Sequence, residues 1–182
     1  MSPALFGYHR PDSVQTAVGL LSQFGDRARI MAGGQSVIPT IKLRMGEASE
    51  LVDIGRILDI SYVKLNESVL QIGALTTHAL IAASEDARKA PLIAQAASGI
   101  ADRQIRSMGT IGGGETVAHR IACWPISLLT VDTKVQIIGP QGSRSVAKEN
   151  CIWGRLAYAM MRLQTAINQG NNARIRSWFR SK

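Results

Sequence analysis

Two stretches of nearly bare main chain, Ala32-Gly33-Gly34-Gln35-Ser36 and Gly109-Thr110-Ile111-Gly112-Gly113-Gly114, constrain this chain more than any other feature. The first stands where a short apolar run, Ala28 to Met31, stops and apolar residues resume at helical spacing from Val37 to Met45. A glycine pair at a strand-to-helix junction has two readings. It makes a tight turn, because glycine enters the positive-φ region at no steric cost. Alternatively, it lets an anion approach the amides of Gly33 to Val37 at the positive end of a helix that Ser36 caps. The second stretch admits the same pair of readings, a plain loop or a cradle, with the Thr110 hydroxyl as a further donor to a phosphate oxygen. One diphosphate held between the two accounts for both at once.

Magnitudes favour using both. A charge at a helix terminus gains only about 0.3–1 kcal/mol. Hydrogen bonds to charged groups are worth about 1.5–3 kcal/mol each, so four amides provide roughly 6–12. Micromolar binding requires about 8 kcal/mol. On this arithmetic one turn alone struggles to reach it.

The surrounding pattern gives the scaffold. Between Pro11 and Phe24 the apolar residues Val14, Ala17, Val18 and Leu21 recur at helical spacing, with Asp12 or Ser13 as cap and Gly25 as stop. Ala28–Met31 reads as a strand, Val37–Met45 as a helix with Pro39 in its first turn, and Glu50–Ile54 as a strand. Together they make a small βαβ lobe with parallel strands, residues 1–57. From residue 58 to 150 the grammar changes to a mixed α+β lobe. Tyr62–Leu65 and Val69–Ile72 flank a turn at Asn66-Glu67-Ser68, Thr76–Ala83 and Pro91–Ile100 are helical by spacing, and Val135–Ile138 and Ser145–Ala147 form a second hairpin. In the remainder, 151–182, Leu156–Ile167 reads as helical until Asn168-Gln169-Gly170-Asn171-Asn172 breaks it.

Composition excludes several classes. The net charge of +8 suggests nucleic acid, but its distribution does not. Residues 151–182 carry six basic groups and no acid, whereas the other 150 residues carry 15 basic and 13 acidic groups. The basicity belongs to a tail, and neither a nucleic-acid partner nor a membrane span is expected. Cys123 and Cys151 lack the spacing of a disulfide framework, a zinc site or an iron–sulfur cluster. His9, His78 and His119 show no metal-ligand spacing. The N-terminus lacks the pattern of a secretory signal, so a reducing, cytoplasmic setting is the expectation. There is no GxxxxGK[ST], and Gly112-Gly113-Gly114 has the wrong spacing for GxGxxG. The residues by themselves lead to a dinucleotide or similar ligand bound between two lobes.

The segments YHRPDSV, ARIMAGGQSVIPTIKLRM, LVDIGRI, IGALTTHA and QIRSMGTIGGG occur in this order between Tyr8 and Gly114, within a likeness that covers roughly residues 6–140. In order and spacing they resemble the FAD-binding medium subunit of molybdenum hydroxylases, the family of carbon-monoxide dehydrogenase and xanthine dehydrogenase. The resemblance implies an α+β fold of the PCMH (vanillyl-alcohol-oxidase-like) type and FAD as cofactor. Ala32, Gly33, Gly34, Gln35 and Ser36 match the first FAD motif; Thr110, Ile111, Gly112, Gly113 and Gly114 match the second. Thr76, Thr77 and His78 match a segment near the flavin, with Thr77 the expected contact. For His78 a polar residue at a helix start is an equal alternative. Gln104 and Arg106 match the approach to the second motif, where a structural role is expected.

By the same resemblance, molybdopterin resides on a large partner subunit and [2Fe–2S] clusters on a small one. Electrons then pass through FAD to an external acceptor such as NAD⁺, oxygen or a quinone. No catalytic residue is expected on this chain. Two departures stand out. An Asp that touches FAD in the family falls on His119, followed by Arg120, although Trp124-Pro125 are in register. The final 32 residues do not continue the family pattern, as in a truncated subunit or one with a shifted reading frame; a basic docking tail for RNA or an acidic partner is the rival. A truncated remnant without a working flavin site is the alternative function.

Overall fold

The computed structural model describes residues 5–44, 49–116 and 123–148, together with the backbone of 160–166. His119, Arg120 and most of 151–182 lie outside the described residues. The first lobe runs β1 (Gly7–His9), α1 (Val14–Phe24), β2 (Ala28–Met31), α2 (Val37–Lys42) and β3 (Glu50–Asp53). Helix α1 begins where the Ser13 hydroxyl accepts from Thr16 N at 3.1 Å and ends at Gly25, whose φ of 55° suits glycine. Its buried stripe is Ala17, Val18 and Leu21. Full burial of a side chain such as Leu21 contributes about 1.5–3 kcal/mol. The three strands are parallel in the order β1-β3-β2. All three therefore end at one edge, and the first glycine stretch follows β2 from that edge.

The segments YHRP and LVDIG meet here. Asp53, buried at the end of β3, accepts from the Tyr8 hydroxyl, pairs with Arg10 Nε at 3.3 Å and accepts from Gly55 N at 2.9 Å. The carboxylate ties two strand ends and the following turn together. Its hydrogen bond with the phenol is the main reason the Tyr8 pKa is raised above its usual value.

The second lobe contains β4 (Val63–Asn66), β5 (Val69–Gly73), α3 (His78–Ala83), α4 (Glu85–Arg88), α5 (Pro91–Gly99), α6 (Arg103–Met108), α7 (Ile111–Thr116), α8 (Cys123–Leu129), β6 (Thr133–Gly139), β7 (Gly142–Ala147) and β8 (Met160–Ala166). Its sheet has the order β4-β5-β8-β6-β7, antiparallel throughout. Both expected hairpins are present, the first turning at Glu67 with φ 52°. The core joins Leu70 and Ile72 of β5, Val135 and Ile137 of β6, and Ile81, Ile93, Ala97, Ile111, Trp124 and Leu128 of the helices.

Two local readings are corrected. The helix read over Leu156–Ile167 is, at Met160–Ala166, the strand that pairs with both β5 and β6. Met161, Leu163 and Thr165 alternate with Arg162 and Gln164, a period of two that suits a strand between two others. The glycine run 111–114 is helical, not a loop, because Ile111–Thr116 forms α7.

Candidate functional site

The first glycine stretch has the geometry of a donor cradle. Gly34 takes φ 73°, the left-handed region in which L side chains are strained. Helix α2 begins with Ile38 N donating to Gly34 O at 3.0 Å and Thr40 N to Ser36 O at 3.2 Å. Among the described residues, no amide from Gly33 to Val37 has a hydrogen-bond partner. Ser36 stands at the cap position, but its side chain makes no cap bond, unlike Ser13, Thr77, Ser84 and Asp102 at other helix starts. Gln35 folds back, its Nε2 donating to Gly33 O at 3.0 Å, and both Gln35 and Ser36 are exposed. Ala32, Gly33, Gly34, Gln35 and Ser36 thus present open main chain at the carboxyl edge of the parallel sheet.

The second stretch is different. Ile111 N donates to Thr76 O (3.1 Å), Gly112 N to Ala74 O (2.9 Å), Gly113 N to Thr110 Oγ1 (3.2 Å) and Gly114 N to Thr110 O (2.9 Å). Its amides are occupied by internal partners. The expectation that the amides of both stretches would converge on one anion is corrected for Ile111, Gly112, Gly113 and Gly114.

Glycine is needed there for close approach instead. A Cβ on Gly112 would stand 2.8 Å from both Cβ and O of Ala74, and one on Gly114 would stand 2.7 Å from Trp124 Cδ1. No such group fits without displacing its neighbour.

The two stretches nevertheless lie side by side. A Cβ on Gly33 would overlap the carbonyl oxygen of Met108 and come within 3.1 Å of Gly109 Cα. Thr77 and Thr110 face each other in an isolated antiparallel bridge, closed by His78 N donating to Gly109 O at 3.0 Å. The Thr77 hydroxyl accepts from Leu80 N at 3.2 Å and that of Thr110 from Gly113 N, so each keeps its own proton to donate. Thr77 is partly exposed and Thr110 buried. Thr76 is excluded as a ligand contact: it is 1% exposed, its Oγ1 donating to Tyr62 O at 2.8 Å and accepting from Tyr62 N at 2.9 Å.

Three side chains back this surface. Trp124 Nε1–H donates to His78 Nδ1 at 3.1 Å, with the His78 ring beneath Gly109 and the Trp124 ring against Gly114. Burial, helped by the Arg106 charge, lowers the His78 pKa from 6.5 to about 4. His78 does open α3, as one of its two readings had it, but at 5% exposure it is buried there rather than at the surface. Arg106 is structural as expected, its Nη1 donating to the carbonyls of Ile100 (2.9 Å) and Ala101 (2.7 Å) at the end of α5.

Behind α7, Glu115 Oε1 pairs with Lys148 Nζ, both side chains at most 3% exposed, while Glu115 Oε2 is buried without a partner among the described residues. Burial raises the Glu115 pKa against the opposing influence of Lys148. Sequence reading missed this pair, because one charge in a glycine-rich helix and another after a hairpin carry no joint signal. Among the described residues no helix is long and apolar enough to cross a membrane.

Comparison with known proteins gives the family and the fold. A family profile described as the FAD binding domain in molybdopterin dehydrogenase matches residues 4–164. The 6-hydroxypseudooxynicotine dehydrogenase complex subunit alpha of Paenarthrobacter nicotinovorans is 40% identical over 147 residues, covering 80% of this chain and 50% of that protein. The carbon monoxide dehydrogenase medium chain of Hydrogenophaga pseudoflava is 38% identical over 155 residues, covering 85% and 54%. The solved carbon monoxide dehydrogenase of Hydrogenophaga pseudoflava that lacks the Mo-pyranopterin moiety superposes with a TM-score of 0.86 at 34% identity, covering 93% of this chain and 62% of that one. The chain spans about half the length of the curated relatives it matches.

Proposed function

The chain belongs to the family of FAD-binding domains of molybdopterin dehydrogenases, and on that premise we propose that it holds FAD as the flavin-bearing part of a medium subunit. The observation that carries this reading is the row of amides from Gly33 to Val37, without partners among the described residues, beside an uncapped Ser36 and against Gly109. In this reading Ala32, Gly33, Gly34, Gln35 and Ser36 grip the pyrophosphate. Three charge-assisted hydrogen bonds from this stretch would contribute about 4.5–9 kcal/mol, so it is the principal anchor.

The second stretch contributes differently. Thr77 and Thr110 donate through their hydroxyl protons. Ile111, Gly112, Gly113 and Gly114 shape the wall, because bare backbone is what lets α7 lie close against Ala74 and Trp124. When bound, the flavin provides a ring that accepts electrons singly and releases them singly or in pairs. The protein positions it and screens it from water. In this role the chain is the link between [2Fe–2S] clusters of a small subunit, fed by molybdopterin on a large subunit, and an external acceptor. It does no bond-making on the organic substrate.

A second reading, a folded chain without a working flavin site, draws on the internal partners of the Ile111–Gly114 amides. One experiment separates the two. The purified chain is incubated with FAD, passed through a desalting column and scanned for flavin absorption, with circular dichroism to establish folding. Retained yellow colour that Ser36→Ala reduces and added ADP competes away supports the first reading. A folded, colourless chain establishes the second.

A further inference from the structure

The buried imidazole of His78 lies where it can govern both glycine stretches. Its ring stands beneath Gly109: a Cβ on that glycine would come within 2.9 Å of Nε2. Its backbone amide donates to the Gly109 carbonyl at 3.0 Å. Met108 and Gly109 in turn are the residues against which Gly33 packs. On the other side, Nδ1 accepts from the Trp124 indole at 3.1 Å, and Trp124 presses on Gly114. An indole N–H can only donate, so Nδ1 must be bare and the neutral ring carries its proton on Nε2.

We propose that His78 is a positioning residue for the nucleotide site: oriented by the Trp124 indole, it seats Gly109 and thereby sets the gap between the two glycine stretches. What the gap is for rests on the FAD reading above; that His78 sets it does not. A proton on Nδ1 would oppose the Trp124 N–H donor to donor, break the pair and release Gly109. The charged groups on the neighbouring helices agree with a neutral imidazole. Arg106 of α6 repels a positive charge on it. Asp86 of α4 is engaged elsewhere, accepting from Leu65 N at 3.1 Å and lying 3.9 Å from Lys89. Glu115 of α7 is paired with Lys148. Helix α5 brings no charged side chain, and α8 only the exposed thiol of Cys123.

The test uses the ¹⁵N-labelled full chain, first alone and then titrated with FAD. In the free protein, acidification toward about pH 4 should move the amide signals of Gly33 and Gly34 together with the His78 imidazole signals. His78→Phe should remove that transition while shifting the same two amides at neutral pH. It should also weaken FAD binding roughly tenfold, the effect of losing one hydrogen bond's worth of positioning. If His78→Phe does not fold, Trp124→Phe replaces it. Freed of the donor, His78 should titrate at higher pH, and the Gly33 and Gly34 transition should move with it.

Gly109 responding while Gly33 and Gly34 stay still overturns the proposal. So does a folded His78→Phe whose FAD affinity stays within about twofold of a wild type that binds, a change too small for a lost hydrogen bond. A wild-type chain that ignores FAD while Gly33 and Gly34 follow His78 overturns the FAD reading and leaves the positioning role in place.

Discussion

The main chain at Gly33 runs so close to Met108 that a Cβ on the glycine would overlap the Met108 carbonyl oxygen. These residues are far apart in sequence and belong to different lobes. Their contact is what brings the two glycine stretches side by side.

Gly33→Ala should therefore destabilise the chain by about 1–3 kcal/mol, the usual cost of forcing atoms into filled space, and abolish flavin retention. Gly19→Ala is the contrasting control. Gly19 lies inside α1 with nothing within 4 Å of its would-be Cβ, and the substitution should stabilise by about 0.5–1 kcal/mol. Urea denaturation of both variants checks the pair; equal effects would refute the packing argument.

Two serines at helix starts should behave in opposite ways. Ser13 caps α1 through Thr16 N, so Ser13→Ala should cost about 1 kcal/mol of stability. Ser36 makes no cap bond. Ser36→Ala should leave the melting temperature in place and lower FAD affinity by roughly tenfold or more, the loss of a hydrogen bond to a charged group. Thermal melts and a FAD titration read the two effects separately.

The Glu115–Lys148 pair is buried, and removing one partner strands the other charge. Lys148→Met alone should destabilise by about 3–5 kcal/mol, whereas Glu115→Leu with Lys148→Met should recover most of the loss or exceed wild type. A double-mutant cycle in urea is the measurement. Additive losses would mean the two groups do not interact.

Stability should fall in mild acid because of His78. Its folded-state pKa is about 4 against 6.5 when unfolded, so the unfolded chain binds the extra proton first as the pH drops. The contribution is fully present above pH 6.5 and is lost between there and about pH 4, amounting to at most about 3 kcal/mol. His78→Phe should flatten the urea-measured stability across that interval. An unchanged slope would exclude His78 as its source.

What could be read directly was local. The Val14, Ala17, Val18 and Leu21 stripe, the strands Ala28–Met31 and Glu50–Asp53, and both hairpins follow from side-chain periodicity and turn residues, which act over a few positions. Strand β1 was not legible, because three residues at an edge carry too little pattern. Helix α7 was hidden by its glycines, which disfavour a helix unless neighbours hold it, as Ala74 and Trp124 do here.

The sequence by itself determined the parallel βαβ pattern of the first lobe, both hairpins of the second and, through the order of its motifs, the family; the strand Met160–Ala166 that joins those hairpins into one sheet it did not. It could not say which amides remain open, since a backbone group is free only after every competing partner has been placed. Tertiary structure decided that. Pairing of Ile111 to Gly114 with Thr76, Ala74 and Thr110, and packing of Gly33 on Met108, left Gly33–Val37 without partners among the described residues. The 46-residue span from His78 to Trp124 is of the same kind, a contact that exists only once the whole lobe has closed.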